Sequence, residues 1–151
     1  MHLKWMRKLE VPKNLMIDSG FWYALYDSRD QYHEQAIDFI EYLEFHNLLI
    51  PWPSLYETLN TRFVRNPEWL RAFESYLHRP DTVRLPDEAY REEALHSVLR
   101  IVRGWRSISL VDMVIRSIIE DPNIKIDAMI TFNQDDFIDI CSTRNIEIIS
   151  D

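Results

Sequence analysis

The stretch 15–27, LMIDSGFWYALYD, decides the fold predicted for this chain. A short apolar run ends in Asp18-Ser19-Gly20 and passes at once into an aromatic-rich segment, which predicts a buried strand, a carboxylate and a helix start. Ligands of open α/β sheets bind in the crevice outside the carboxyl ends of the strands, so Asp18 is a candidate site residue. The alternative is that Asp18 only caps the helix, because Asp and Ser side chains often accept the free N–H groups of a first turn.

The rest of the chain alternates short apolar runs with segments of helical periodicity. Further strands are predicted at 48–50, 126–131 and 146–149, and 83–85 is predicted as either a strand or an extended link. Helices are predicted from Tyr32 to about His46, from Pro53 through Phe63, from Pro67 to before Pro80, from Asp87 to Gly104, over 110–119 after Ser109, and for a turn or two over 135–140. Strands separated by helices predict a parallel sheet with helices on both faces.

Length and composition predict one folded domain. The chain has 151 residues, of which 46% are hydrophobic and 28% charged, close to the average of globular proteins. Residues 1–13 are interpreted as an amino-terminal extension, and 14–151 as a single domain. The single cysteine excludes an internal disulfide framework, and no Cys/His cluster has zinc spacing. No apolar run reaches the ~18 residues of a spanning helix, and the basic amino terminus lacks a signal-peptide core, so we expect a cytoplasmic protein with no membrane association.

Charge and glycine content exclude several functions. The net charge of −8 argues against a protein that coats nucleic acid by bulk electrostatics, although local basic patches remain possible. With only two glycines, the chain has neither a P-loop nor a dinucleotide-binding glycine turn. Nucleotide-triphosphate chemistry and Rossmann-type redox chemistry are therefore not expected.

Acidic residues fall at four places on one edge of the predicted sheet. Asp18 follows the first strand, Glu57 lies in the helix after the second, Asp112 lies in the first turn of its helix, and the loop 133–136 follows the fourth strand. Carboxylates without His or Cys suit Mg²⁺ or Mn²⁺, which prefer hard oxygen ligands. Because like charges in one crevice raise each other's pKa, a bound cation would remove the conflict.

Each acid also has a structural interpretation. A helical glutamate such as Glu57 is commonly just a solvated side chain, and Asp112 near a helix start is stabilised by the helix dipole whatever it binds. The setting of Asp112 is unusual, because the surrounding run ISLVDMVIRSII is apolar. A charged group in such a run must pair or coordinate a ligand.

Four segments together resemble a PIN domain, and more specifically the VapC-like toxin ribonucleases. They are MIDSGFWYAL, PSLYETLN, SLVDMVI and MITFNQDDF, in this order and spacing, and the resemblance extends from about Asn14 to the carboxyl terminus. It implies a three-layer α/β/α fold with a central parallel sheet of four to five strands. It also implies an Mg²⁺ or Mn²⁺ cofactor, hydrolysis of single-stranded RNA, a homodimer, and silencing by a cognate antitoxin with a basic tail.

The resemblance also implies roles for individual residues. Asp18, Glu57 and Asp112 match the first three family acids, which are catalytic and bind the metal. The residues that would position the substrate are Ser19, Ser109, Thr131 and Asn133.

The fourth family acid would fall at or near Asn133, which leaves open whether one or two metals bind. Asp136 is the preferred substitute, and its alternative role is a helix N-cap.

Other interpretations remain open at this stage. Asn133 is compatible with an inactive PIN-like module that only binds RNA or a peptide, and the same acids would serve a metal-dependent DNA nuclease or phosphatase. Trp22, Tyr23 and Tyr26 would either stack on bases or, as their helical spacing favours, form core or dimer contacts. The basic residues available to hold an RNA backbone are Arg62, Arg65, Arg100, Arg103 and Arg106.

Overall fold

A computed structural model describes residues 11–100 and 107–150. The strands are β1 (Asn14–Ile17), β2 (Asn47–Pro51), β3 (Thr82–Leu85), β4 (Ala128–Ile130) and β5 (Glu147–Ile149). The helices are α1 (Ser19–Tyr26), α2 (His33–Asp38), α3 (Ile40–Phe45), α4 (Trp52–Thr58), α5 (Thr61–Val64), α6 (Pro67–Leu77), α7 (Arg91–Leu99), α8 (Leu110–Glu120) and α9 (Ile138–Thr143). Single 3₁₀ turns lie at Glu88–Tyr90 and Gln134–Asp136.

The strands form one parallel sheet in the order β3-β2-β1-β4-β5. The chain moves from β1 outward to β2 and β3, and then returns to place β4 on the other side of β1. The crevice between the carboxyl ends of β1 and β4 is therefore the point where the strand order reverses, which is where such sheets bind ligands.

Both faces of the sheet are buried, which explains the continuous apolar runs. In β1, Leu15 and Ile17 pack into a cluster with α1 and its neighbours, whereas Met16 packs on the opposite side with residues of α8 such as Ile115. The other central strands alternate in the same way. The three-layer α/β/α fold predicted from the sequence is confirmed, with five parallel strands.

Several predicted helices are shorter than the sequence suggested. The helix expected from Tyr32 to His46 is divided at Phe39, whose N–H bonds to the carbonyl of Ala36 three residues back. The helix expected through Phe63 ends at Thr58, and Asn60 caps a new turn by accepting the N–H of Phe63.

The remaining boundaries follow the sequence more closely. The segment 83–85, left open between a strand and a link, is part of β3. The predicted end of a helix at Gly104 lies outside the described residues, as do residues 1–10 of the extension. No helix in the described part of the chain is long and apolar enough to cross a membrane.

Candidate active site

Asp18 lies where β1 ends, beside the end of β4. Its N–H donates to the carbonyl of Ile130 at 3.2 Å, which extends the ladder between the two strands by one bond. The N–H of Ser19 donates to Asp18 Oδ1 at 2.8 Å, and the hydroxyl of Thr131 donates to Asp18 Oδ2 at 3.0 Å. Asp18 therefore does cap α1, and its second carboxylate oxygen is held in a fixed orientation across the strand-order reversal.

Asp18 is an acid in an environment that disfavours its charge. Only 7% of the residue is exposed, and this burial raises the pKa of the carboxyl above its ordinary value. The hydrogen bonds from Thr131 and Ser19 lower the pKa in part, and the charge of Asp136 raises it further. Within residues 11–100 and 107–150, no Lys, Arg or His forms an ion pair with Asp18. A buried carboxylate with no cationic partner needs a cation from elsewhere to remain ionised at low cost.

Glu57 reaches the same place from the helix after β2. It lies on α4, near the carboxyl end of that strand, and the hydroxyl of Ser19 donates to Glu57 Oε1 at 3.2 Å. The residue is exposed at the cavity mouth, yet partial desolvation of its carboxylate raises its pKa, and the nearby charge of Asp18 raises it further. Ser19 thus connects two of the predicted acids: its N–H donates to Asp18 and its hydroxyl donates to Glu57, so it orients both carboxylates.

Asp112 completes the group from α8. Ser109 caps this helix, its hydroxyl accepting the N–H of Asp112 at 3.1 Å, so the carboxylate sits in the first helical turn. Burial raises the pKa of Asp112 to about 6, and the charges of Asp18, Asp136 and Glu57 contribute in that order. Asp18, Glu57 and Asp112, which the sequence predicted to meet, all face the same cavity.

The three acids line one open cavity of about 370 Å³. The cavity is also lined by Ser19, Gly20, Asp30, Gln31, Tyr32, Phe132 and Asn133. Ser109 and Thr131 do not line it; they hold Asp112 and Asp18 from behind.

The oxygen-only donor set fits Mg²⁺ or Mn²⁺. Among the described residues, no three His, Cys, Asp or Glu side chains lie close enough together to coordinate one metal ion as they stand. That observation does not conflict with the fit, because Mg²⁺ keeps several waters and is commonly held by one or two carboxylates. Mutually repelling carboxylates without a cation are also expected to point apart.

The loop after β4 carries an asparagine where the resemblance implies a fourth acid. Asn133 occupies that place; its N–H donates to Thr131 Oγ1 at 3.0 Å and its side-chain amide donates to Asp136 Oδ2 at 2.6 Å. Asp136 does not line the cavity, but its charge raises the pKa of both Asp18 and Asp112. The N-cap alternative for Asp136 is wrong, because α9 begins after Phe137 without a side-chain cap.

Arg116 fixes this loop from α8. Its guanidinium donates to the carbonyl of Asp136 at 2.7 Å and makes two bonds to the carboxylate of Asp139, at 2.8 and 2.7 Å. Arg116 was not among the candidates predicted from the sequence, although an arginine one turn after Asp112, within an apolar run, indicates a specific partner.

The aromatic candidates of α1 pack in the core, as their helical spacing favoured, and the described basic candidates lie away from the cavity. Trp22 is fully buried and stacks with Tyr26, which favours the core interpretation of these rings. Arg62 pairs with Asp27 and lies over the ring of Tyr23, so it is already engaged in the fold. Arg65 and Arg100 are exposed but do not line the cavity, and Arg103 and Arg106 lie outside the described residues.

The cavity wall also contains residues that were not predicted as site residues from the sequence. They are Gly20, Asp30, Gln31, Tyr32 and Phe132. The predicted helix begins at Tyr32, whereas this residue lies just before α2 and its ring stacks on Phe132. A contact between residues a hundred positions apart leaves no trace in local periodicity.

The comparisons with known proteins agree with this architecture. No family model matches the sequence, and no curated protein matches it. Among solved structures, the chain is similar to VapC20 of Mycobacterium tuberculosis, described as a Sarcin-Ricin loop cleaving toxin, with 19% identity, coverage of 81% of this chain and 92% of that one, and a TM-score of 0.60.

It is also similar to VapBC2 of Rickettsia felis, a structure bound to a DNA fragment from the promoter. The identity is 15%, the coverage is 90% of this chain and 97% of that one, and the TM-score is 0.51. At these identities the likeness shows the fold alone. The resemblance to a VapC-like PIN fold, predicted from the four sequence segments, is confirmed at that level.

Proposed function

We propose that this chain, which has the fold of the VapC toxins, is an Mg²⁺- or Mn²⁺-dependent endoribonuclease that hydrolyses phosphodiester bonds of single-stranded RNA. We further propose that it is the toxin of a toxin–antitoxin pair. One observation carries the proposal: Asp18, Glu57 and Asp112, from three separate elements, line one cavity and lack a basic partner within the described chain. An arrangement that raises the pKa of all three acids costs stability, which is typical of a functional site.

The roles of the acids follow from their settings. Asp18 and Asp112 would hold the metal, with Glu57 beside them at the cavity mouth. When bound, the metal would supply a water of lowered pKa and positive charge opposite the phosphate. Glu57 Oε would accept the proton of the attacking water, a role that its raised pKa favours.

The hydroxyl groups fix this geometry. Thr131 orients Asp18 Oδ2, and Ser19 orients Glu57 Oε1, so both carboxylates are preorganised before substrate arrives. Ser109 holds the helix turn that presents Asp112. In-line departure of the leaving oxygen would give products with a 5′-phosphate and a 3′-hydroxyl.

The substrate and partner follow from the charge and openness of the cavity. Unpaired RNA bases can be splayed into a cleft and read, whereas an A-form duplex hides its sequence edges. Acidic side chains that have no basic partner in the described chain would also attract a basic peptide. The basic tail of a cognate antitoxin would therefore bind at the cavity and inhibit the enzyme. We propose a homodimer as the assembly, by analogy with the resembled toxins.

A second candidate is a PIN-like module that binds RNA or a peptide without cleaving it. Two observations favour it: no three acids of the described chain converge into a finished metal cluster, and Asn133 replaces the expected fourth acid. Metal affinity separates the two candidates, because a module without catalysis has no need of a tight divalent site.

The test is calorimetric titration of Mn²⁺ into wild type, Asp112→Asn and the control Asp38→Asn. Asp38 is exposed on α2 and does not line the cavity, so its substitution removes the same charge elsewhere. We expect wild type and Asp38→Asn to bind Mn²⁺ alike and Asp112→Asn to bind at least tenfold more weakly, since one ligand is lost. Absence of Mn²⁺ binding by wild type would contradict the nuclease proposal and favour the binding module.

Cleavage assays under the same conditions identify the reaction. We expect hydrolysis of a mixed-sequence single-stranded RNA by wild type and Asp38→Asn and not by Asp112→Asn. The matching single-stranded DNA and a phosphomonoester serve as competing substrates. Preferential hydrolysis of either would contradict the RNase assignment while keeping the metal site, and would favour a DNA nuclease or phosphatase.

A further inference from the structure

We propose that Tyr32 is the outer ring of a platform on which an unpaired nucleobase of the substrate stacks, beside the acids of the cavity. This inference rests on the proposed function and deepens it, because it assigns a base-binding subsite to residues outside the acidic group. The platform consists of Tyr32 and Phe132, both of which line the cavity with Asp18 and Asp112.

The rings form a column that leads from the core to the cavity. Phe21 is fully buried, and its ring lies 6.3 Å from that of Phe132 with an interplanar angle of 25°. Phe132 in turn stacks on Tyr32 with centroids 4.5 Å apart and planes within 5°. Within the described chain, no further aromatic ring contacts Tyr32, so the column ends with a partly exposed ring at the cavity wall.

Backbone contacts hold Tyr32 in place. Its N–H donates to the carboxylate of Asp30 at 2.9 Å, and its carbonyl accepts the N–H of Ala36 at 2.9 Å. These bonds fix the backbone at Tyr32, and Phe132 packs against one face of its ring. A preorganised flat surface loses little entropy when a base stacks on it.

The surroundings favour a nucleobase over other occupants. Base stacking on aromatic side chains is the usual way of holding unpaired nucleotides, and it requires a parallel ring such as the end of this column. Exposed Gln31 at the same wall carries both a hydrogen-bond donor and an acceptor, which suits a base edge. The cavity of about 370 Å³ lies within the range of small-ligand sites.

A protein partner is the competing occupant. The guanidinium of an arginine would also lie over Tyr32 and would be attracted by the acids. The two occupants differ in one respect that can be measured: a base is recognised without charge, whereas the arginine needs its cation. The experiment therefore compares neutral and cationic ligands on the same variants.

The test uses adenosine 5′-monophosphate, ribose 5-phosphate, adenosine and argininamide as probes, with binding measured by ligand-observed NMR in Mg²⁺. Wild type is expected to bind the monophosphate about 5- to 100-fold more tightly than ribose 5-phosphate, the range expected for one stacked base. In Tyr32→Leu this ratio is expected to fall to about one, while the affinity for ribose 5-phosphate stays unchanged. Tyr32→Phe and Tyr32→Trp are expected to keep the ratio.

Tyr56→Leu is the matched control. Tyr56 is 59% exposed and lies on α4 outside the acidic cavity, so its loss removes a surface tyrosine without touching the platform. The control is expected to retain the wild-type ratio. If Tyr32→Leu does not fold, as judged by circular dichroism, the wild-type ratio and the Phe and Trp variants still decide the question.

The outcomes separate this inference from the proposed function. Equal binding of the monophosphate and ribose 5-phosphate by wild type would overturn the platform and leave the metal and phosphate site intact. Absence of binding by all three sugar ligands would contradict both. A Tyr32→Leu variant that loses argininamide binding but keeps its preference for the monophosphate would overturn the platform and identify Tyr32 as a contact for a cationic partner.

Discussion

Two aspartates at the two ends of α1 have the same burial and opposite electrostatic settings. Asp18 precedes the helix and Asp27 follows it, and each is 7% exposed. Asp27 accepts the N–H of Arg29 at 3.0 Å and pairs with the side chains of Arg29 and Arg62. The backbone bond from Arg29 first, and then the two arginine side chains, hold the pKa of Asp27 below its ordinary value, whereas burial raises the pKa of Asp18.

The pKa shifts of Asp18 and Asp27 are opposite to those that the helix dipole would cause. A carboxylate is favoured at the amino end of a helix and disfavoured at the carboxyl end, so the dipole alone would lower the pKa of Asp18 and raise that of Asp27. The helix dipole is therefore outweighed by the hydrogen bonds and arginine side chains at Asp27, and by burial at Asp18. Asp27 is a structural acid with its own counter-ions. Asp18 forms no ion pair within the described chain, which supports the proposal that it binds the metal.

Substitution of Asp18 should produce the largest effect on function. We expect Asp18→Asn to lower RNA cleavage by at least about 10³-fold, because the metal supplies several kcal/mol of transition-state stabilisation. Its metal-free stability should remain equal to wild type or rise, since an uncompensated charge is removed. Initial rates on single-stranded RNA and urea melts test both halves; a variant that retained cleavage would contradict the role of Asp18.

Substitution of Asp27 should show the reverse pattern. We expect Asp27→Asn to lower the free energy of unfolding by about 2 kcal/mol, since charged hydrogen bonds to Arg29 and Arg62 are lost. For a chain of this size the melting temperature should fall by roughly 4 to 8 °C. The Mn²⁺ affinity of the folded protein should not change. A calorimetric titration that showed weaker Mn²⁺ binding by Asp27→Asn would contradict the purely structural role of Asp27.

The pH dependence of stability should distinguish the two ends of the helix. The pKa of Asp112 is about 6 in the folded chain and that of Asp18 is raised, so folding takes up protons between their unfolded and folded pKa values. Metal-free wild type should therefore lose stability as pH rises from about 4 through about 6, the range set by the ordinary carboxyl pKa and by that of Asp112. Asp27 contributes in the opposite sense, because its lowered pKa gives stability that is lost only as pH falls below its ordinary range.

The size of the pH effect should be modest. Asp112 is partly solvated, so we expect its share to be on the order of 1 kcal/mol rather than the ~3 kcal/mol of a fully buried group shifted by two units. Urea melts of wild type and Asp112→Asn between pH 4 and 8 measure it. A stability difference between the two proteins that does not change over this pH range would contradict a raised pKa of Asp112 in the folded chain.

Gly20→Ala should have a small, stabilising effect. A Cβ at Gly20 would meet no atom within 4 Å, and the residue is helical, so alanine should stabilise the chain by about 0.5 to 1 kcal/mol. Gly20 lines the acidic cavity, and the added methyl should raise the KM for RNA while Mn²⁺ affinity stays unchanged. Faster cleavage with an unaltered KM would indicate that substrate does not approach this face of α1.

The sequence predicted the frame of the site because that frame depends on local patterns. The apolar run before Asp18 predicted β1, and Ser109 predicted the start of α8. The place of Asp18 followed from the rule that open α/β sheets bind ligands outside the carboxyl ends of their strands. Asp112 lines the same cavity from the start of α8. The capping role of Asp18 is confirmed, since the N–H of Ser19 donates to one carboxylate oxygen while Thr131 holds the other. Its role as a metal ligand stays a prediction.

Other features depended on contacts that no local pattern records. The stacking of Tyr32 on Phe132 and the binding of Arg116 to the loop of Asp136 join distant parts of the chain. The predicted helix through Phe63 is interrupted at Asn60, because the Asn60 side chain caps a new helical turn instead of continuing the first helix. The metal, the RNA target and the antitoxin remain predictions, because they are properties of molecules outside the chain.

The most direct test of the account is a carbon-13 NMR titration of the Asp18 and Asp27 carboxyl groups with and without Mg²⁺. We predict that without metal Asp18 titrates above the ordinary aspartate range and Asp27 below it, and that saturating Mg²⁺ lowers the pKa of Asp18 while leaving Asp27 unchanged. An Asp18 pKa at or below the ordinary range without metal, or one that Mg²⁺ does not move, would contradict the claim that Asp18 depends on an external cation.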